Sequence, residues 1–565
     1  MKMIWLWTPQ DTGKPKCMDC MSGYSTGDLY CDVLAGITAG AVALPLGMAI
    51  SISSGLRPEA GIYSALIAGV FVSLLGGSRI QIGGPSAAFI FFSASIVKEY
   101  GLPGLQMFTL MTGLALLFLT LTNLCDAVKR LPPSIVVGLA NAIAILIVAK
   151  QAGLLLGLRT RDEPAEFPAL LKNLAVHLSA LNIWSCVLAA GSLILIFLAP
   201  RFTRRIPGSL IALAVAAGAA WALGLPVETI GTRFGEIPRG LPIFTLPVIR
   251  IAQITPLVIP AFAAAILIAL ESLLTEAVTD TLSGDRHSSA SKLIGQGVAN
   301  ALVPFVSGIP VSGTAARTAV NSRSGAITPI AGLIHVVTLG MLLVLAAPLA
   351  GYIPLAALAA MLVVLALNLS AWREIPSILR LDLPAILSWM ATVVLALFAG
   401  FMVAVQAALV LAALLYARRV SLAGGETAQL RLGGIKGEGP LAMATILTSP
   451  YEVIERLPNP MGYRDANVAR LAPIVILSVN DIDTTELAVL EGFNDLLRGS
   501  GRILLLCGIS SQSAVCKRHP LFVAHLGKRN ILPSLPAAIY RASELRDRFF
   551  GIGERLAQEL RRTPL

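Results

Sequence analysis

Charged side chains are scarce in this chain. Lys, Arg, Asp and Glu make up 13% of its 565 residues, about half the ~25% of ordinary soluble domains. That excludes a string of soluble domains and an intrinsically disordered chain, both of which need far more charge. Cysteine is sparse and scattered. Of the seven, Cys125 and Cys186 lie inside apolar runs, where reduced thiols act as small hydrophobes, so a disulfide-built secreted scaffold is excluded too. Cys17 and Cys20 (CMDC) have the spacing of a redox or metal pair, but no second ligand pair follows. The histidines His177, His287, His335, His519 and His525 lack metal-ligand spacing and read as structural; neither a metal nor a cofactor is expected. GxxxxGKS/T is absent, which argues against a P-loop pump, and HExxH and GxSxG are absent, which leaves metalloprotease and serine-hydrolase chemistry without residues. The chain is not expected to be an enzyme. No cleavable leader is expected either: Trp5 and Trp7 are followed by polar residues up to Asp32.

What the chain has in excess is apolar length. Hydrophobic residues reach 56%, and the apolar runs are about 20 residues long, the length of a spanning helix and not of a barrel strand. They fall near 32–55, 60–77, 85–97, 104–123, 132–156, 177–198 and 206–224. After a polar stretch from Pro226 to Arg250, more fall near 256–283, 294–307, 313–322, 327–348, 354–370, 382–402 and 403–417. This predicts an all-α polytopic membrane domain of seven plus seven spans, an odd number per half that inverts the second half. The net charge of +11 reads as cytoplasmic loops and not as a nucleic-acid footprint. Lys129, Arg130, Arg204, Arg205, Arg418 and Arg419 share one side, so both termini are expected in the cytoplasm.

The expected organisation is a cytoplasmic segment over 1–31, a membrane domain over 32–419, a small soluble domain over 430–550 and a tail over 551–565. In the soluble part, Ile474–Val479 and Arg502–Gly508 read as buried strands. Glu486–Gly501 and a segment through Val523 read as helices, an α/β pattern with parallel strands.

The third run of each half is short and opens on a glycine-rich turn, GGPSAAF (Gly83–Phe89) and VSGTAART (Val311–Thr318). Paired, interrupted short segments at matching places mark a transporter's central site. Helices starting at mid-membrane present free N–H groups and the positive end of the helix dipole, and two such starts make an anion site without metal. Gly84 and Gly313 allow close backbone approach, and Pro85 suits a first helical turn. The candidate donors are the N–H groups of Ser86, Ala87, Thr314 and Ala315 and the hydroxyls of Ser86 and Thr314, which can equally serve as helix caps. Arg317 lies one turn on, and its forked guanidinium suits oxyanions. Glu271 falls near the middle of its span with Thr275 one turn on. A central acid is expected to be paired, protonated or bound to a cation, which makes Glu271 and Thr275 candidates for coupling to H⁺ or Na⁺.

These stretches resemble the sulfate permease (SulP) family of anion transporters. AVALPLGMA (Ala41–Ala49), GLRPEAGIYSALIAG (Gly55–Gly69), GGSRIQIGGPSAAF (Gly76–Phe89), ESLLTEAVTDTLSGDRH (Glu271–His287) and GIPVSGTAARTAVNSRSGA (Gly308–Ala326) carry the likeness. The resemblance implies fourteen spans, with spans 1–4 and 8–11 as a mobile core and spans 5–7 and 12–14 as a gate. It implies an anion between the starts of spans 3 and 10, elevator movement, a homodimer and a cytoplasmic STAS domain signed by IDTTEL (Ile482–Leu487). By the same likeness Arg317 holds the place of the family arginine and Glu271 that of the span-8 acid. Sodium-coupled bicarbonate members carry Asp there with Thr four residues on, so Glu271 and Thr275 match in part; Glu is more similar to proton-coupled members. Leu46 and Ile50 stand where some relatives have polar or aromatic residues near the anion, and Glu486 stands where a glycine is common. Thr484 takes the phosphorylatable position of anti-sigma-factor antagonists, as a regulatory site or a helix cap.

The function expected is secondary active transport of a small anion (sulfate, bicarbonate or a C4-dicarboxylate) across the cytoplasmic membrane, coupled to H⁺ or else to Na⁺ or exchange. A passive anion channel, a nucleobase permease and a membrane-tethered STAS signalling protein with a protein partner are the rivals.

Overall fold

The computed structural model describes residues 16–20, 24–122, 132–158, 166–203, 206–283, 289–379 and 383–411. Toward the carboxy terminus it describes 444–447, 474–478, 503–507, 520–534 and scattered helical positions between 490 and 545. Two compact units emerge, Met1–Leu414 and Leu415–Leu565.

The first unit begins with α1 (Lys16–Cys20), α2 (Thr26–Ser53), α3 (Pro58–Leu75), β1 (Gly83–Pro85) and α4 (Ile90–Leu121). It continues with α5 (Pro133–Leu155), α6 (Phe167–His177), α7 (Ile183–Phe202), α8 (Gly208–Ala222) and α9 (Ile230–Phe234). The second half has α10 (Ile254–Ser283), α11 (Ser289–Leu302), β2 (Val311–Gly313), α12 (Ala315–Arg323), α13 (Ile330–Ala350) and α14 (Leu355–Leu369). It closes with α15 (Ile375–Ile378), α16 (Leu383–Phe398) and α17 (Phe401–Leu411). Eight of these stretches are long and apolar enough to cross a membrane. One of the eight is two spans. A 3₁₀ turn (Ala87–Phe89) leads into α4, and Gly101 at φ 69° then breaks it, a backbone that suits glycine. With the shorter helices, the order is that of fourteen spans in a 7+7 inverted repeat.

β1 and β2 occupy equivalent places in the two halves and pair antiparallel, Gly83 with Gly313 and Gly84 with Ser312. An inverted repeat makes this possible, because matching segments then run in opposite directions. Around this crossing the helices sort into two bundles. α2 packs mainly on α13 and α3, and α4 on α10 and α11, whereas α5 packs on α14 and α16, and α7 on α8 and α14. The first bundle is drawn tight by small residues: a Cβ on Gly61 would strike the Gly47 carbonyl, and one on Gly36 the Ala331 carbonyl.

Several boundaries differ from the expected ones for physical reasons. The first span starts at Thr26, inside the segment expected to be extramembranous, because Ser25 and Asp28 form a reciprocal capping box. Asp32 is therefore inside a helix and fully buried. Its carboxylate accepts from Ile327 N (2.8 Å), Thr328 N (3.1 Å), Thr328 Oγ1 (2.5 Å) and Tyr24 Oη (3.1 Å), which ties α2 to the turn before α13. The sixth span runs Ile183–Phe202 and not 177–198, because a separate amphipathic helix, α6, occupies the preceding residues and Asn182 caps the new start. Pro85 lies in β1, ahead of the capping Ser86, and not in a first helical turn.

The second unit is a four-stranded parallel sheet in the order β3 (Ala444–Leu447), β4 (Ile474–Ser478), β5 (Ile503–Cys507), β6 (Ile531–Leu532). A helix, α18 (Pro520–Leu526), precedes β6, and Leu490, Asn494 and Leu497 between β4 and β5 are helical. Ile474, Ile476, Leu505 and Cys507 pack with Ala538 and Ala542. Thr484 and Glu486 lie outside the described residues.

Candidate anion site at two facing half-helices

The helix that follows β1 runs from Ala87 to its break at Gly101, about 21 Å at 1.5 Å per residue, and α12 runs for about 14 Å. Neither crosses a ~30 Å hydrocarbon core. Their starts are brought together by the β1–β2 pairing, with Ser86 capping one and Thr314 at the head of the other. The first N–H groups of each helix have no partner within that helix.

Arg317 reaches back from α12 to the other repeat. Its Nη2 donates to the Pro85 carbonyl, while its Nη1 and Nε are buried without a hydrogen-bond partner among the described residues. The whole residue is 3% exposed. Gly84 makes room for it, since a Cβ there would collide with Nη1. The expected result for Gly84→Ala is therefore a drop in anion uptake of about a hundredfold, the scale of a 1 Å misplacement, at normal membrane abundance. Vesicle uptake within a few-fold of wild type would contradict it.

The hydroxyls divide into two kinds. Thr314 Oγ1 is buried with no partner among the described residues and caps nothing. Ser86 accepts from Ala88 N at 3.3 Å and turns its own proton to Glu271, Oε1 at 3.0 Å and Oε2 at 2.9 Å. Read from the sequence as an anion donor, the Ser86 hydroxyl is engaged by the carboxylate in this structure. Ser312, from β2, donates to Glu271 Oε2 at 2.8 Å. Glu271 is thus not hydrogen-bonded to Arg317; it is clamped by one serine from each repeat. Thr275 gives its proton to the Glu271 carbonyl at 2.7 Å.

A ring of buried amides fixes this crossing. Asn300 donates to Val311 O at 2.7 Å and accepts from Val311 N at 2.9 Å. Gln81 donates to Gly313 O at 3.2 Å, and a Cβ on Gly313 would run into Gln81 and Gln296. Asn321 donates to Ile80 O at 2.8 Å. Sequence reasoning missed Ser312 and this ring because hydrogen-bond direction follows from register. It also passed over Lys150, which interrupts an apolar run and is 8% exposed; a lysine inside a span was a signal to follow. Cys17 and Cys20 share the short helix α1, and no group of three His, Cys, Asp or Glu side chains converges among the described residues.

The profile of the sulfate permease family matches residues 29–392. The chain belongs to the sulfate permease family. It is 33% identical over 508 residues to the "Putative sulfate transporter YvdB" of Bacillus subtilis, covering 87% of this chain and 93% of that protein. It is 28% identical over 400 residues to the "Bicarbonate transporter BicA" of Picosynechococcus sp., covering 69% and 70%. Among solved structures, the transmembrane domain of a cyanobacterium bicarbonate transporter BicA superposes with a TM-score of 0.61 at 28% identity, covering 68% of this chain and 98% of that one. SLC26A9 superposes with a TM-score of 0.65 over 94% of this chain at 17% identity, a likeness of fold. Matched to these relatives, this member of the sulfate permease family is a multi-pass membrane protein whose β1–β2 crossing lies within the matched residues.

Proposed function

We propose that this protein is a secondary active transporter of a small oxyanion or carboxylate, with sulfate, bicarbonate and C4-dicarboxylates as the candidate substrates, and that transport is coupled to H⁺. The observation that carries the reading is Arg317. Its Nε and Nη1, and the hydroxyl of Thr314 three residues before it, have no hydrogen-bond partner among the described residues, where two half-helix starts meet. Buried donors left without an acceptor suit an anion. The relatives' names, a sulfate and a bicarbonate transporter, point the same way. The anion is held by the N–H groups of Ala87 and Ala315, the Thr314 hydroxyl and the Arg317 fork, with Gly84 and Gly313 leaving the space.

Coupling runs through Glu271. As a carboxylate it repels the anion and holds the Ser86 hydroxyl through both oxygens; as a carboxylic acid it no longer repels the anion and keeps only one good acceptor, so proton and anion load together. The side chains that hydrogen-bond its carboxylate are hydroxyls, and Thr275 gives its proton to the Glu271 carbonyl; carboxyl groups inside spans serve as proton relays, which is why H⁺ is the coupling ion proposed. The two bundles supply the moving parts: the α2–α4 and α10–α13 bundle carries the site past the other in an elevator motion. The Leu415–Leu565 unit is a STAS domain in this reading, with its parallel sheet and IDTTEL sequence, in the cytoplasm with both chain termini. The protein works in the cytoplasmic membrane as a homodimer, and Thr484 is a candidate regulatory position for a protein partner of the STAS domain.

Uptake of radiolabelled sulfate, bicarbonate and succinate into vesicles, with pH and Na⁺ gradients imposed separately, tests the proposal. Concentrative uptake of one of them under an inward proton gradient is expected. Flux that only equilibrates would make the protein a passive channel, and flux that follows Na⁺ alone would remove the proton.

A further inference from the structure

Lys150 is an intramembrane cation to which the transport reading gives no part. It sits in the run IAILIVAKQAGLLL (Ile143–Leu156), five residues before the end of α5. By the basic-loop asymmetry, that end faces outward. Its neighbours on the helix, Leu146, Ile147 and Leu154, are buried and apolar. A charged side chain within a span is a functional candidate by default.

Its position relates it to the anion site. The Lys150 Nζ stands over the ring of Phe91, 5.8 Å from the centroid. Phe91 is five residues beyond Ser86, in the first turns of the half-helix whose start holds the anion. α5 belongs to the other bundle, the one that packs on α14 and α16. The next residue, Gln151, also reaches across, its Nε2 donating to Ser53 Oγ of α2 at 3.0 Å, and the Gln151 Oε1 is buried with no partner among the described residues. Gln151 and Ser53 line a small cavity with Ala49, Ile52, Leu355 and Leu358. Two consecutive side chains of one bundle thus touch two elements of the other at the same level. Sliding of the bundles must break both contacts, Lys150 with Phe91 and Gln151 with Ser53.

Resting on the transport reading, we propose that Lys150 is a positioning residue of the anion path, a second positive charge fixed on the gate that sets affinity for anion arriving from the outer side. With the bundles as they are here it covers Phe91 and closes that side. When the half-helix moves outward it attracts the incoming anion. Over ~10 Å at an effective dielectric constant of ~20, one unit charge changes binding by about tenfold to twentyfold.

The test compares wild type, Lys150→Met, Lys150→Gln and Lys150→Arg in vesicles of defined orientation, using whichever of sulfate, bicarbonate or succinate the wild type accumulates. The outward-side KM is expected to rise about tenfold in Lys150→Met and Lys150→Gln, with Vmax per membrane-inserted protein within about twofold. Lys150→Arg should stay within about threefold of wild-type KM. Should the Met variant fail to reach the membrane, the Gln variant supplies the neutral reading. KM values within about twofold of wild type in the neutral variants overturn the proposal. So does an Arg variant that behaves like Met, or a loss of Vmax at unchanged KM, because each assigns the lysine to structure. No uptake of any of the three anions by wild type sinks the transport reading itself, which is a different result.

Discussion

Replacing Arg317 by alanine is expected to lower anion uptake at concentrations near the wild-type KM by about 30-fold or more, the equivalent of about 2 kcal/mol, the low end for truncating one partner of a buried charge pair. The cause is electrostatic. The half-helix starts supply only about half a unit of positive charge each, and neighbouring Glu271 offsets part of that when ionised. In the proposed site Arg317 adds a full unit of positive charge, and its Nη1 and Nε have no hydrogen-bond partner among the described residues. Arg317→Lys keeps the charge but loses the fork and the reach to the Pro85 carbonyl, so it should recover part of the uptake and not all of it. Membrane abundance should hold, since the substitution removes a buried ion from a short helix and takes no hydrogen bond from the Glu271 carboxylate, which Ser86 and Ser312 hold. Unchanged uptake in Arg317→Ala would take away its assigned role.

Glu271→Gln is expected to uncouple transport from pH while leaving the site able to bind. Wild type should accumulate anion about tenfold further for each pH unit of inward gradient per coupled proton. The substituted glutamine amide is neutral at every pH and nearly isosteric with the carboxyl group, so it mimics the protonated acid: it removes the repulsion and leaves one acceptor oxygen where the carboxylate has two. Accumulation under a proton gradient should fall to the level seen without one, whereas exchange of labelled for unlabelled anion survives. If the variant still accumulates in step with the proton gradient, the proton travels elsewhere. Ser312→Ala, which deletes one of the hydroxyls on Glu271, should weaken this pH dependence less than the Gln variant does.

The site was legible where chemistry and chain geometry coincide. Gly83–Phe89 and Val311–Thr318 announce themselves because glycine, proline and hydroxyl residues interrupt apolar runs at matching places, and Arg317 and Glu271 because ions are costly in a span. Register and hydrogen-bond direction were not legible. Ser86 and Thr314 look alike in the sequence, yet one is turned to a carboxylate and the other has no partner among the described residues. Ser312, two residues before Thr314, joins Glu271 only because β2 pairs with β1 and faces it toward α10. Asp32 opens the first apolar run in the sequence; that its carboxylate would accept from Ile327 N and Thr328 N, nearly three hundred residues on, was not readable there. In the second unit, β4 and β5 were readable from unbroken Ile, Val and Leu runs, whereas β3 and the two-residue β6 are too short to carry a period.

The most direct test is an experimental density map of the purified protein with its transported anion bound. Density for the anion is expected between the start of the helix at Ala87 and that of α12, within hydrogen-bonding reach of Thr314 Oγ1 and of Arg317 Nη1 or Nε. Anion density away from this crossing, or either half-helix traced continuously from one leaflet to the other, would contradict it.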